Sequence, residues 1–182
     1  MQILAAAVRV FGAGGPSAVT HRAVAAEAGV STGLTTYYFK DRDDLLYQAL
    51  TYAFEVEAER LQECVRDCDH ELTVDETIDL LTEMFFDKTV ADPLYDIALF
   101  EMFLEATRNP PVRVLTREWS ALIFRLVDQV LPPTDPSVPR ETVVQIVAAQ
   151  IDGLMLEETS NQALGLDGLS AHLRMVIERF LR

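Results

Sequence analysis

The chain has 182 residues, 49% of them apolar, and a formal net charge of −14. It suits one domain of ordinary size, or a small module attached to a larger one, with enough apolar material for a substantial core. Its acid excess excludes a body drawn to nucleic acid or to anionic membrane.

No run reaches the ~18 apolar residues of a membrane span, and residues 1–11 lack a secretory core and cleavage site. Two cysteines, Cys64 and Cys68, are too few for a disulfide framework. A soluble, cytoplasmic protein without membrane partners is expected.

Taken in chain order, residues 3–11 have helical apolar spacing and end in the breaker string Gly12, Ala13, Gly14, Gly15, Pro16. Residues 21–28 form a short second helix with Thr20 as its N-cap, and Ser31 is placed to cap a third through Tyr38. Asp41 can cap a fourth, with Asp43 and Asp44 in its first turn, running to about Cys68. Thr73 followed by Glu76 has the form of a capping box and opens a fifth. Asp92 before Pro93 starts a sixth, which Asn109, Pro110 and Pro111 end, and a seventh follows over residues 112–131. Residues 132–139 hold four prolines and cannot be helical. Two last helices are expected at about 140–161 and 167–181, separated by Gly165 and Gly168. No segment has a useful two-residue period, so the fold class is all-α, about nine helices.

Charge is uneven. Residues 1–50 hold Arg9, Arg22, Lys40 and Arg42 against Glu27, Asp41, Asp43 and Asp44, so the remainder carries the whole −14. If the chain meets DNA, this neutral first quarter is where it does so.

Ala25, with Gly29 four residues on, then Val30 and Ser31, has the spacing of a helix-turn-helix: a small residue where two helices approach, and a residue without Cβ in the turn. An ordinary corner between two helices could share that string. In the third helix Val30, Leu34 and Tyr38 are expected to face the core, with Phe39 closing it. Thr32, Gly33, Thr35, Thr36 and Tyr37 then point outward. An uncharged surface of hydroxyls, a glycine and a ring suits a helix in the major groove, where threonine meets base edges, thymine methyls or phosphates. Lys40 and Arg42 are placed to hold the DNA backbone from one side, and His21 and Arg22 from the other, helped by the free amides of that helix end.

Residues 3–50, with VTHRAVAAEAGVS, a helix ending in TTYYF, then KDRDDLL, resemble the DNA-binding domain of TetR-type transcriptional regulators. LFEMFLEATRNPPVR and AAQIDGLMLEE look, more weakly, like ligand-domain segments of one subgroup. The resemblance implies a helix-turn-helix domain over residues 1–46 and a helical effector-binding and dimerisation domain over 47–182. It further implies a homodimer on a palindromic double-stranded operator, a small-molecule effector, and repression as the mode of control. Many members carry tyrosine at the position of Thr36, and most carry a basic arm before the first helix. Either such an arm lies outside this sequence or fewer phosphates are contacted, and a shallow salt dependence is expected.

Residues 92–108 are apolar nearly all round, as in a helix surrounded by others. Glu101, Glu105 and Arg108 lie on one stripe of it, more simply a salt-bridge row that fixes packing than an effector anchor. Phe85, Phe86, Phe100, Phe103, Trp119, Phe124 and Met155, with Glu101 and Glu105, are the pocket candidates, although aromatic residues at helical spacing are more often plain core. Val143, Val147, Ile151 and Leu154, in a stripe with Ile146 and Gln150, and then Leu173, Val176, Ile177 and Phe180, are the dimer candidates, unless both stripes pack within one chain.

Cys64, Cys68 and His70 make at most three metal ligands and read as ordinary side chains. With no phosphate loop, dinucleotide fingerprint, nucleophile elbow or zinc-protease pair, no enzyme, cofactor or metal is expected. The alternative is a helical ligand-binding or dimeric interaction protein that does not touch DNA, which the neutral head favours.

Overall fold

The computed structural model describes residues 1–66, 68, 70–86 and 93–181. Among these it has nine helices and no strand: α1 (Gln2–Ala18), α2 (His21–Glu27), α3 (Thr32–Tyr38), α4 (Arg42–Cys64), α5 (Val74–Phe86), α6 (Pro93–Ala106), α7 (Pro110–Val130), α8 (Arg140–Asn161) and α9 (Gly165–Glu178). They form two compact units, one of Met1–Glu57 with Ala91–Trp119, the other of Ala58–Val90 with Ser120–Arg182.

In the first unit α1 packs on α2 and α6, and α2 on α3, around Ala7, Val8, Phe11, Val24, Phe39, Leu46 and Leu50, all buried. Gly12 is where α1 meets α6 most closely: a Cβ there would stand 2.2 Å from the carbonyl oxygen of Leu94. Its lack of a side chain therefore sets the approach of the two helices. The expected breaker string does interrupt the helix, but at Gly15 (φ 67°, ψ −169°) and not at Phe11, and a short helical turn after that kink carries α1 on to Ala18.

In the second unit α5 packs on α8 and α9, and α8 on α9. The capping box forms as expected. Thr73 N donates to Glu76 Oε2 at 2.8 Å, and Glu76 N donates to Thr73 Oγ1 at 3.3 Å. These bonds from Thr73 hold the Glu76 carboxyl below its ordinary value. Buried Thr77 donates to the carbonyl of Val130 at 2.7 Å. Arg140 donates to the carbonyls of Asp128, Leu131 and Pro132, closing the proline connector onto the end of α7.

Several boundaries differ from expectation for local reasons. α4 stops at Cys64, because the carbonyl of Val65 is taken by Cys68 N and by Gln129 Nε2. Pro110 and Pro111 open α7, since first-turn amides need no helical partner. α9 starts at Gly165 and runs through Gly168, so those glycines begin it instead of separating it from α8. Asp92, the expected cap of α6, lies outside the described residues.

Candidate nucleic-acid interface

The turn between α2 and α3 is built by backbone bonds. Gly29 N donates to the Ala26 carbonyl at 3.2 Å, and Val30 N donates to that of Ala25 at 2.9 Å. This paired pattern closes a helix through a left-handed residue. Gly29 takes it at φ 66°, where a residue with Cβ is strained. Ala25 beneath is buried. Thr20 caps α2, its hydroxyl oxygen accepting from Ala23 N at 3.1 Å. Ser31 precedes α3 but makes no capping bond through its side chain.

The orientation of α3 differs from expectation by one position. Thr35 and Phe39 are the buried residues, while Leu34 and Tyr38 are exposed. Val30 lies in the turn, where helical periodicity does not hold, so counting the core row from it shifted the phase. The Thr35 hydroxyl is within bonding distance of the carbonyls of Thr32 (2.9 Å) and His21 (3.3 Å), joining α3 to α2. Thr35 therefore leaves the set of outward residues. Leu34 enters it; counting back from Phe39 in steps of four would have found both changes.

The outward face that results holds Ser31, Thr32, Gly33, Leu34, Thr36, Tyr37 and Tyr38, all exposed. Tyr37 is the most open at 80%, and Tyr38 sets its ring edge-on against it, centroids 5.1 Å apart. Thr36 donates within α3, to the carbonyl of Thr32 or Gly33, leaving its oxygen free to accept. The surroundings of Gly33 are open: a Cβ there would have Ser31 Oγ as its nearest neighbour, at 3.9 Å.

Around this face the charged residues differ in availability. Thr20, Arg22 and Lys40 are exposed. His21 is half-buried, with its Nδ1 enclosed and without a hydrogen-bond partner. Lys40 N donates to Asp44 Oδ2 at 2.8 Å. Together with the bond from Gln48, the larger influence, this holds the Asp44 carboxyl below its ordinary value. Arg42 is also exposed, and its guanidinium lies along the chain, donating to the carbonyls of Val19 and Pro16.

The pocket candidates fall in both units. Phe100, Glu101, Phe103, Glu105 and Trp119 belong to the first; Phe85, Phe86, Phe124 and Met155 belong to the second. Buried Trp119 packs edge-on against Phe54, ring centroids 5.9 Å apart. Glu105, 7% exposed, accepts from Arg108 Nε at 2.6 Å and from Asn109 Nδ2 at 3.1 Å, which is the packing role. Glu101 instead stands beside the kink of α1, its Oε2 3.4 Å from where a Cβ on Gly15 would lie. Phe124 lies at the surface and Phe85 and Met155 are half-buried.

The dimer stripes require correction. Val143, Val147, Ile151, Leu154, Leu173 and Ile177 are buried within the chain itself, and Val176 and Phe180 are half-buried. They form the single-chain core because the most apolar face of each helix meets its own neighbours first. The outward face of α8 instead carries Ile146, Ala149, Gly153 and Leu156.

Among the described residues no helix is long and apolar enough to cross a membrane, and no three metal-ligating side chains come together.

Comparison with known proteins places the chain. No curated protein matches it. A transcriptional regulator from Rhodococcus sp. Rha1 shares the fold, with a TM-score of 0.81 at 22% identity over 98% of this chain and 94% of that one. A member of the TetR family from Streptomyces coelicolor A3 is 28% identical over 100% of this chain and 96% of that one, with a TM-score of 0.71. The multidrug binding protein EbrR complexed with imidazole is 30% identical over 100% of this chain and 93% of that one, with a TM-score of 0.67. EbrR was also solved with proflavin and with ethidium. Residues 72–182 match the tetracyclin repressor-like C-terminal domain, and residues 3–49 match the bacterial regulatory proteins of the tetR family. With its helix-turn-helix followed by that helical C-terminal domain, the chain belongs to the TetR family of transcriptional regulators.

Proposed function

We propose that this protein is a ligand-responsive repressor, which binds a palindromic operator as a homodimer and leaves it when a small organic effector binds. Residues 1–46 act as the reading head and residues 47–182 as the effector-binding and dimerisation part, working in the cytoplasm. The observation that carries the reading is the uncharged, open face of α3 around Thr32, Gly33, Thr36 and Tyr37. Such a surface can approach base edges closely, with hydroxyls to bond them and no charge to desolvate. Thr20, Arg22 and Lys40 flank it as backbone contacts.

Two copies are required by geometry. One α3 reads one major groove, and a palindrome needs a second about 34 Å away. Ile146, Ala149, Gly153 and Leu156 supply a seam for pairing: they recur at intervals of three and four along α8, are uncharged, and are open to solvent.

Effector control is supported by the complexes of EbrR, and ethidium is the first probe. Release requires that the effector bind the DNA-free arrangement more tightly, by several kcal/mol, than the DNA-bound one. A gel shift with DNA from upstream of the protein's own coding sequence, at low and moderate salt and with or without ethidium, tests the reading. A shifted band is expected; no band at either salt contradicts DNA binding, and favours the interaction-protein alternative.

A further inference from the structure

Arg42 is bonded through its guanidinium to two backbone carbonyls. Its Nε donates to Val19 O at 3.1 Å, its Nη2 donates to Pro16 O, and its Nη1 lies 3.4 Å from Asp43 Oδ1. Pro16 stands just past the kink at Gly15 and Val19 between α1 and α2, so both carbonyls belong to the segment that leads from that kink into α2. The planar guanidinium thus ties that segment to the start of α4, a task a lysine's point charge does poorly. The same segment delivers Thr20, His21 and Arg22 to the reading face.

Arg9 is also engaged, with its Nε 2.8 Å from Glu27 Oε1. Of the four cations in residues 1–50, Arg22 and Lys40 make no side-chain hydrogen bond or ion pair among the described residues; Arg42 is exposed as they are and differs from them in its bonds to the backbone.

We propose, on the basis of the DNA-binding reading, that Arg42 is a positioning residue and that Arg22 and Lys40 alone among the side chains of residues 1–50 neutralise phosphate charge. The operator affinity of this 182-residue chain is then weakly dependent on salt. Each neutralised phosphate contributes about −0.9 to the slope of log affinity against log salt, so two cations per subunit give about −3.6 for a dimer. Between about 50 and 200 mM salt, affinity falls about 150-fold on that slope. If all four cations met phosphate, the fall would be about 20,000-fold.

The test measures fluorescence anisotropy of a labelled upstream duplex, and of a scrambled one, across that salt range, together with the melting temperature of each variant. Wild type is expected near −3.6, and Lys40→Gln shallower by about 1.8. Arg42→Gln is expected to keep the slope, weaken affinity by one factor at every salt, and melt several degrees lower. Arg42→Lys, which keeps the charge without the fork, is expected to melt lower as well, and it serves if the glutamine variant does not fold. A wild-type slope near −7 overturns the proposal. So does an Arg42→Gln protein with wild-type melting and a slope reduced by about 1.8. Absence of binding to either duplex overturns the DNA reading and the salt prediction with it, while the two Arg42 melting temperatures still decide the positioning role: unchanged melting in both contradicts it.

Discussion

The side-chain oxygen of Thr35 lies 3.3 Å from the carbonyl oxygen of His21, and the residue has no exposed surface. The hydroxyl thereby joins the two helices of the reading head from within. Thr35→Val keeps the shape and removes the donor, which costs about 1–2 kcal/mol for a buried group. A denaturant titration should show that loss, with DNA affinity reduced only through it. Unaltered stability with lost DNA binding would return Thr35 to the contact face.

Gly12 admits no side chain without displacing α6, because the Leu94 carbonyl occupies the site of its Cβ. Gly12→Ala gains helix propensity of up to about 1 kcal/mol, but overpacking against backbone costs about 1–3 kcal/mol. A net fall in melting temperature is expected. A rise would mean that the two helices separate freely.

The first turn of α5 gives a pH signature. Bonds from Thr73 lower the pKa of Glu76 in the folded state, so its contribution to stability is full above the ordinary glutamate value of 4.5 and is lost as pH falls through the lowered one. The stability difference between wild type and Glu76→Ala should be largest near neutral pH and shrink on acidification. A difference that is constant with pH removes the charged cap from the account.

On α8 two faces of the same helix should respond differently. Ile146→Glu or Leu156→Glu, on the open face, should leave helical content intact and yield a monomer in size-exclusion chromatography with light scattering. Val147→Glu puts a carboxylate into a fully buried site and should unfold the second unit. A monomeric wild-type protein would contradict the dimer, and an Ile146→Glu protein that stays dimeric would place the subunit contact elsewhere.

These contrasts mark what the sequence discloses. The caps at Thr20, Asp41 and Thr73 were legible because each is fixed by two or three neighbouring residues, and all three form. The left-handed turn at Gly29 was legible for the same reason. The face that α3 presents was not. A seven-residue helix contains too few turns to define a phase, and its inward row includes a threonine whose polarity is satisfied by carbonyls that the sequence does not reveal. The two apolar faces of α8 posed a different difficulty: which of them meets its own chain depends on how α9 folds back and on α5, far away in sequence. The backbone bonds of Arg42 depend likewise on carbonyls 23 and 26 residues away.

The most direct test of the account separates the reading face from the fold. Tyr37→Ala and Gly33→Ala should be compared with wild type in operator binding and thermal melting, in the same buffer. Tyr37 is 80% exposed, and Gly33 has open space around it. Both variants should therefore melt at or above the wild-type temperature, with Gly33→Ala gaining up to about 1 kcal/mol from helix propensity, while each loses operator affinity by at least tenfold. Undiminished binding by both variants would contradict the claim that this surface of α3 enters the groove.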